Sequence, residues 1–375
     1  MLVEVSVVLP SKDEEETIGI CISKIRKAFG ENGLEGEIIV ADNSGDNTPT
    51  IARNLGAEVV TPDGKGYGYA YRYAFKYLKQ KHGGYPKYIV IGDADDTYDF
   101  TEIPKLLEPL IKGEADFVIG SRFKGGMEKG AMPWLHRWIG NPVLTWFLNF
   151  FYKVGVSDAH SGFRAITGEA LDRLELHSNG MEFASEMLME AARRKLRIVE
   201  VPIRYYARRH GKSKLASFSD GWRHLKFMLV YTPKHLYIYP GFTLMLIGMI
   251  LFLSALLRFS LGYSPGFHTS VAGSLLIIVG FQAVFFGFFS RMLAGEILPR
   301  FLTLEKCSSI GAIIFAAGFI WAFKIGYEWV GSGFKVLPPV VHSVACLTLM
   351  ILGLQIFLSA FMLSIISEYK RRWTF

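Results

Sequence analysis

The stretch from Tyr88 to Asp96 reads YIVIGDADD, and the rest of the chain is arranged around it. Four strand-forming residues lead into Gly92, and a group of carboxylates that includes Asp93 and Asp95 follows. A buried strand of a parallel sheet delivers the residues after it to the sheet's carboxyl edge, where open α/β folds bind ligands. Crowded carboxylates repel one another unless a cation lies between them, so they suit a hard divalent ion such as Mg²⁺ or Mn²⁺. The alternative is a solvated turn, in which aspartate is common.

Alternating strands and helices surround this stretch. Apolar runs typical of buried strands are each followed by a helical pattern, which predicts a mostly parallel α/β sheet with helices on both faces. Pro202, in the last run, indicates an edge strand because proline lacks the N–H that a ladder needs. We expect the strands at residues 2–9, 38–41, 57–60, 88–91, 117–120 and 198–203.

Polar residues follow the early strands, where such a fold places its site. We expect Asp13, Asp42 and Asp93 along one edge of the sheet, because an acid after an early strand often binds a ribose or base. The sequence GKGYG at residues 64–68 fits either a helix start whose N–H groups approach phosphate or a flexible loop with a solvated Lys65. It lacks the GxxxxGK[ST] spacing of a Walker A loop.

The composition indicates a soluble part joined to a membrane part. Of the 375 residues, 50% are hydrophobic and 20% are charged, and the formal net charge is +7. Three scattered cysteines form neither a zinc spacing nor a disulfide framework. Four apolar spans, each long enough to cross a hydrocarbon core of about 30 Å, are expected at about residues 239–261, 271–293, 310–330 and 340–366.

The spans are expected to form two hairpins, with no sequence repeat between them. Basic residues flank the first and last spans, so the positive-inside rule predicts both termini in the cytoplasm. The start of the chain lacks the basic region and cleavage site of a signal peptide. We therefore expect a cytoplasmic domain at residues 1–235 and a transmembrane domain at residues 236–375.

Two segments of the first domain are expected to touch the membrane surface. Residues 133–152 carry a band of Trp and Phe at helical spacing, which is typical of interfacial helices and also of core packing. Residues 217–235 are the second interfacial helix. The basic run at residues 204–214 directly precedes the membrane part, which favours an anionic lipid or phosphate partner over a solvated tail.

Several motifs together resemble a known family over about residues 3–235. They are VVLPSKDEEETI, VADNSGDNT, GDADDTYDF, GSRFKGG, LHRWIGNP, SGFRA, GMEFASEM and RYYARRHGKSKL. The chain resembles family 2 inverting glycosyltransferases of GT-A fold, of the dolichol-phosphate mannose synthase and dolichol-phosphate glucose synthase type. It departs from them in having Asp13 where relatives usually have Asn, and a single acid at Asp42 where they have adjacent acids.

The resemblance implies transfer of a hexose from GDP-mannose or UDP-glucose to a polyprenyl (dolichyl) phosphate, with inversion. It implies Mg²⁺ or Mn²⁺ as the cofactor and catalysis at the cytoplasmic face, in contact with membrane lipid. No nucleic-acid partner is expected, and the oligomeric state is left open. The RYYARRHGKSKL stretch resembles a mobile loop that closes over the site.

The resemblance also implies roles for individual residues. Asp93 and Asp95 match the DXD motif and are expected to hold the metal, and Arg122 and Arg137 are expected to serve catalysis with them. The residues expected to line the nucleotide are Pro10, Asp13, Glu14, Asp42, Lys65 and Asp93. The residues expected at the acceptor phosphate are Arg122, Arg137, Asn141, Arg208, Arg209 and Ser213.

Other functions stay open at this point. One is a membrane transporter or flippase with a regulatory nucleotide-binding domain. Another is a processive polysaccharide synthase, a class that usually carries a QxxRW motif, which this sequence lacks. A glycoside hydrolase with two carboxylates gives no account of the basic run or the four spans.

Overall fold

The computed structural model describes residues 4–210, 217–259, 264–293, 303–336 and 339–373. The chain divides into two compact units, Met1–Met228 and Leu229–Phe375.

A seven-stranded sheet forms the centre of the first unit. Its strands are β1 (Val5–Ser11), β2 (Gly36–Asp42), β3 (Glu58–Val60), β4 (Tyr88–Ile91), β5 (Phe117–Ser121), β6 (Arg164–Thr167) and β7 (Ile198–Pro202). Their order is β3-β2-β1-β4-β6-β5-β7, and every pairing is parallel except those of β6. The predicted fold class, a mostly parallel α/β sheet, is confirmed. β7 lies at an edge, as Pro202 predicted.

Helices cover both faces of this sheet. They are α1 (Ile18–Asn32), α2 (Thr48–Asn54), α3 (Tyr67–His82), α4 (Ile103–Ile111), α5 (Arg122–Gly125), α6 (Asn141–Tyr152), α7 (Gly168–Asp172), α8 (Phe183–Arg193) and α9 (Ser217–Val230). Val7 and Leu9 enter the core under α1 and α4, whereas Val8 enters the core under α3 and α8. Because successive side chains of a strand point to opposite faces, a sheet covered on both faces needs the near-continuous apolar run seen in β1.

Strand β6 is the strand of the sheet that the sequence analysis did not predict. It begins with Arg164, which is 1% exposed, and arginine is ordinarily a surface residue. The guanidinium donates hydrogen bonds to the carbonyls of Ala159, Ser161 and Ala184, which satisfy it inside the core. Arg164 pairs with Ile91 at the end of β4, so the loop before β6 lies at that strand's carboxyl edge.

The aromatic band at residues 133–152 lies on the surface of the first unit. Trp134 and Trp138 are each 69% exposed, whereas Leu144 and Leu148 are buried. A helix with one large apolar face left exposed is typical of a membrane interface. Core packing therefore explains the leucines of this segment but not its tryptophans.

The second unit contains four long helices. They are α10 (Tyr239–Leu256), α11 (Phe267–Leu293), α12 (Leu304–Gly331) and α13 (Val340–Trp373). In the part of the chain that the structure describes, four helices are long and apolar enough to cross a membrane, namely Lys234–Leu256, Phe267–Leu293, Leu304–Gly331 and Val340–Tyr369. The four predicted spans are confirmed as helices, but α10 ends at Leu256, before the predicted end of the first span, and residues 260–261 of that span lie outside the described residues.

Small residues set the closest approach between the two helices of each hairpin, and they recur in one pattern. A Cβ added to any glycine of these pairs would lie 2.6 to 2.8 Å from the facing carbonyl oxygen. Small residues let helix backbones approach closely in membranes. The facing pairs are Gly241–Gly280 and Gly248–Gly273 in the first hairpin, and Gly311–Gly353 and Gly318–Cys346 in the second. This shared spacing corrects the expectation that the hairpins carry no repeat.

Gln282 and Gln355 hold equivalent positions in the two hairpins, each two residues after a packing glycine. The Nε2 of Gln355 donates to the Oε1 of Gln282 at 3.2 Å. We expect Gln282→Leu and Gln355→Leu to destabilise the protein equally, by about 1 kcal/mol, the usual size of such a bond. The double variant should lose no more than either single variant, because both remove the same bond. Thermal unfolding in detergent measures this, and fully additive losses would contradict it.

Candidate active site

The predicted acidic stretch lies where the early strands of the sheet end. β1, β2 and β4 run parallel, and the register of the first two places Ser11 opposite Asp42. Asp93 and Asp95 follow the end of β4 beside them. The loops after three parallel strands therefore meet at one edge, as a ligand site in this fold class requires.

Asp93 and Asp95 are each held by hydrogen bonds from neighbouring side chains. Asp93 Oδ1 accepts the Tyr67 hydroxyl at 2.9 Å. Gly162 packs against the other oxygen, since a Cβ added there would lie 2.7 Å from Asp93 Oδ2. Asp95 Oδ1 accepts the backbone N–H and the hydroxyl of Thr97 at 3.2 and 2.6 Å. Both carboxylates are thus oriented before any ligand arrives.

Ionising Asp93 and Asp95 at the same time is unfavourable. Burial raises the pKa of Asp93 to about 7, and the charge of Asp95 contributes to this rise. The hydrogen bond from Tyr67 and the charges of Arg122 and Arg164 act in the opposite direction. A cation placed beside such a pair stabilises the doubly ionised form.

Asp96 turns away from the other two acids. Its backbone has φ of 58°, and its carboxylate pairs with Lys24 of α1 at 2.7 Å. Aspartate is among the few residues other than glycine that adopt a positive φ readily. The chain therefore reverses after Asp95 and sends the third acid towards α1.

Arg208, from the basic run, extends to the acidic stretch. Its guanidinium donates to both carboxylate oxygens of Glu14, and its Nη1 lies 3.3 Å from Asp95 Oδ2. The structure thus brings together a residue predicted at the nucleotide, one predicted at the metal and one predicted at a phosphate.

The other residues predicted at the nucleotide lie near the ends of β1 and β2. The N–H of Asp13 donates to Ser44 Oγ at 2.7 Å, and that hydroxyl donates to Asp42 Oδ1 at 2.6 Å. Asp42 is 3% exposed. Pro10 is half-buried within β1, and the side chain of Lys65 is exposed.

Arg122 is buried and forms an ion pair with Asp158. Its Nε and Nη2 each donate to one oxygen of that carboxylate at 2.7 Å, and its backbone N–H donates at 3.0 Å. The charge of Asp158 raises the pKa of Arg122, against the effect of burial, which is the largest influence and acts to lower it. The bidentate contact with Asp158 fixes the orientation of the Arg122 guanidinium.

The remaining residues predicted at the acceptor phosphate lie on other elements. The half-buried Arg137 stacks its guanidinium over Trp138 at 5.3 Å, and Asn141 begins α6. Arg209 is exposed, and Ser213 lies outside the described residues. Among the residues that the structure describes, Arg137 and Arg209 form no ion pair with Asp93 or Asp95.

Sequence reasoning missed the loop that precedes β6. Asp158 contacts Arg122, Gly162 contacts Asp93, and the N–H of Gly162 also donates to the Tyr98 hydroxyl at 2.7 Å. The sequence signal for this loop was the SGFRA motif, which the resemblance included without assigning it a role. Asp158 carries no local signal, because its partner lies 36 residues away.

Comparisons with known proteins identify the family. Residues 6–175 match the model for Glycosyl transferase family 2, and residues 296–367 match the Glycosyltransferase family 2 C-terminal transmembrane region. The low-salt glycan biosynthesis hexosyltransferase Agl6 of Haloferax volcanii is 42% identical over 374 residues, which cover 97% of this chain and 89% of that protein. The chain belongs to glycosyltransferase family 2. It is a membrane glycosyltransferase with a C-terminal transmembrane region.

Further relatives of this glycosyltransferase cover its first unit. The dolichyl-phosphate hexose transferase of Haloferax volcanii is 34% identical over 218 residues, which cover 58% of this chain and 89% of that protein. A solved structure of glucosyl-3-phosphoglycerate synthase from Mycobacterium tuberculosis, in complex with Mn²⁺, UDP and glucosyl-3-phosphoglycerate, is 24% identical, with a TM-score of 0.47. The match covers 61% of this chain and 79% of the synthase chain.

Proposed function

We propose that this glycosyltransferase moves a hexose from GDP-mannose or UDP-glucose to a polyprenyl phosphate such as dolichyl phosphate, with inversion, at the cytoplasmic membrane face. The observation that carries the proposal is the contact of Arg208 with Glu14 and Asp95, next to Asp93, at the carboxyl edge of the sheet. It sets a cation and carboxylates where a metal-bound diphosphate would lie. The name of the Haloferax dolichyl-phosphate hexose transferase supports the acceptor class.

The residues present fit a divalent ion that is shared with the donor. In the described part of the chain, no group of three or more His, Cys, Asp or Glu side chains is spaced to hold a metal by itself. Mg²⁺ commonly takes one or two carboxylates and completes its shell with substrate phosphates and water. Asp93 and Asp95 would be those carboxylates, and the raised pKa of Asp93 is what an added cation would relieve. When bound, Mg²⁺ or Mn²⁺ neutralises charge on the leaving diphosphate.

The chain's own residues position and neutralise rather than transfer protons. The acceptor phosphate is an anion at neutral pH, so its oxygen attacks the anomeric carbon without a strong general base. The bond from that carbon to the diphosphate breaks, and the electron pair leaves with the nucleoside diphosphate. Arg208 is placed to pair with the charge that develops there, after exchanging Glu14 and Asp95 for phosphate oxygens.

The acceptor side falls to the remaining basic and polar residues. Arg137, Asn141, Arg209 and Ser213 are assigned to the lipid phosphate. Arg122 is assigned a positioning role through Asp158, because its guanidinium is already paired. Pro10, Asp13, Asp42 and Lys65 are assigned to the nucleotide, as the resemblance implies.

The membrane-facing parts fit a lipid acceptor. The exposed tryptophans of residues 133–152 would lie in the headgroup region, and the four helices of the second unit would anchor the protein. Basic residues before the first span and after the last support a cytoplasmic position for both termini, by the positive-inside rule.

The test uses the full chain in detergent or nanodiscs. A thermal-shift panel of nucleotide sugars with Mg²⁺ and with Mn²⁺ should give a shift for one donor, since a ligand that binds only the folded state stabilises it. That donor labelled in its hexose should then yield labelled dolichyl phosphate hexose, and the label should not transfer when the lipid phosphate is omitted. A polymeric product would favour the polysaccharide synthase instead. Lipid scrambling by the transmembrane unit without sugar transfer would favour the flippase.

A further inference from the structure

Unpartnered buried polar atoms concentrate beside the candidate active site. Among the residues that the structure describes, the buried side-chain atoms without a hydrogen-bond partner are Ser11 Oγ, His136 Nε2, His160 Nδ1, Ser161 Oγ and Gln355 Oε1. A buried donor or acceptor left unsatisfied costs about 1–3 kcal/mol, so each one calls for an explanation. Two of them belong to adjacent residues, His160 and Ser161.

These two residues lie in the loop before β6, between Asp158 and Gly162, each of which contacts a residue of the candidate active site. Asp158, on one side, holds Arg122, and Gly162, on the other, packs against Asp93. Ser161 itself is 0% exposed. Its hydroxyl is therefore fully buried, without a protein partner, next to Gly162, which packs against Asp93.

The ring of His160 is fixed on one edge and unsatisfied on the other. Its Nε2 lies 3.3 Å from Ser185 Oγ, which lies 2.8 Å from His224 Nδ1, and the two imidazole rings meet edge to face at 4.6 Å. Arg164 holds the carbonyls of the residues before and after His160. This arrangement orients the imidazole firmly while its Nδ1 contacts no protein partner.

His136 adds a second unsatisfied imidazole. It begins a π-helical turn, His136–Gly140, that also carries Arg137. Such turns are rare and occur frequently at functional sites. His136 is one of the groups whose charge lowers the pKa of His160, after burial, His224, Arg164 and Arg122. The imidazoles of His136 and His160 are therefore close enough for the charge of one to affect the pKa of the other.

The surroundings favour an anion over a neutral sugar. After burial and His224, the largest influences on the pKa of His160 are the charges of Arg164 and Arg122, and Arg122 is itself paired with Asp158. A neutral imidazole N–H and a serine O–H both donate hydrogen bonds, and hydrogen bonds to an ionised acceptor are the stronger kind. A phosphate monoester would satisfy several buried donors at once, which a single hydroxyl would not.

We propose that His136 Nε2, His160 Nδ1 and Ser161 Oγ bind the phosphate monoester of the lipid acceptor, alongside Arg137. The proposal rests on the proposed function, because it names the acceptor-side contacts of that same site. Ser185 and His224 act as positioning residues, since Ser185 lies within hydrogen-bonding distance of His160 Nε2 and of His224 Nδ1.

The proposal predicts opposite effects on stability and on binding. Ser161→Ala and His136→Phe each remove a polar atom that lacks a partner in the free protein, so the melting temperature should stay the same or rise. The same variants should raise the Kd for farnesyl phosphate, a short soluble acceptor, about tenfold each, the usual cost of one hydrogen bond to a charged group. His160→Phe should weaken it similarly. Donor binding should not change and serves as the check that each variant is folded.

The experiment is calorimetric titration of the full chain with farnesyl phosphate, farnesol, inorganic phosphate and the nucleotide-sugar donor. His177→Phe is the matched control, because His177 is exposed in the same unit. Loss of farnesyl phosphate and inorganic phosphate binding, with farnesol and donor binding kept, supports the proposal and assigns the contacts to phosphate. Unchanged farnesyl phosphate binding in all three variants overturns it, as does an equal loss of donor binding. A wild-type protein that binds farnesyl phosphate through these residues but transfers no sugar would instead overturn the proposed function.

Discussion

Asp93→Asn should reduce hexose transfer by about 10³-fold, the scale on which removing one preorganised charge contact lowers a rate. Asp93 and Asp95 are the carboxylates at the end of β4 that a diphosphate-bound ion would share. Asp95→Asn should have a similar effect. Transfer of labelled hexose to dolichyl phosphate, measured with saturating Mg²⁺ and with saturating Mn²⁺, checks both variants.

Asp96→Asn is the matched control for this loss. It changes the same side chain in the same stretch, but Asp96 pairs with Lys24 and faces away from the other two acids. Its transfer rate should stay within a few-fold of wild type. Full activity of Asp93→Asn, or equal loss in Asp96→Asn, would contradict the assignment of the metal site.

The stability of Asp93→Asn separates loss of function from loss of fold. Burial and the charge of Asp95 raise the pKa of Asp93 to about 7 in the folded protein. An acid whose pKa is raised on folding costs stability once the pH exceeds its unfolded value, and the cost grows up to the folded value. In metal-free buffer above pH 7, the uncharged Asn variant should therefore melt no lower than wild type.

Asp158→Ala should destabilise the first unit by about 3–5 kcal/mol, because removing one partner of a buried ion pair leaves the other charge unpaired. Asp158 is 0% exposed, and Arg122 would keep its burial without its bidentate acceptor. For a domain of this size the melting temperature should fall by about 10 °C. Thermal unfolding of the full chain in detergent measures the fall in melting temperature. The same measurement with the nucleotide-sugar donor present should show that the donor stabilises this variant less than wild type.

Two further variants test whether the loss of stability in Asp158→Ala comes from the buried ion pair. Asp172→Ala breaks an exposed ion pair with Lys79, in which both side chains are 52% exposed, so it should cost under about 1 kcal/mol. The double variant Arg122→Met with Asp158→Leu should regain much of the stability, since an apolar pair avoids the buried charge. It should still transfer poorly if Arg122 positions the site. Equal melting temperatures for Asp158→Ala and Asp172→Ala would show that the buried pair is not the source of stability.

The sheet and the membrane helices were predictable because their signals are local. β1 and β4 are continuous apolar runs that end in polar residues, and each membrane span is a long apolar segment. In a parallel sheet the carboxyl ends of the strands share one edge, so the positions of Asp42 and Asp93 followed from the strand pattern. No side-chain contact between distant residues was needed for these expectations.

β6 was missed because its physical basis is not local. Its first residue, Arg164, is buried only because three carbonyls from a loop and a helix accept its hydrogen bonds. Hydrophobic patterning predicts that an arginine is exposed. The carbonyls that accept the hydrogen bonds of a buried arginine are known only once the chain has folded. The reversal of this one strand is also what carries Asp158 and Gly162 to the site.

The sequence alone was enough to predict the acidic stretch YIVIGDADD at a sheet edge, the four membrane spans and the family resemblance. Tertiary structure was needed to show which acids act together. Asp96 is separated from Asp93 and Asp95 by its positive φ and by its ion pair with Lys24, a residue far away in the sequence. Tertiary structure was needed equally for the contact of Arg208 with Glu14, 194 residues apart. Residue type and spacing fix what a segment can form, whereas charge pairing and burial depend on which segments meet after folding.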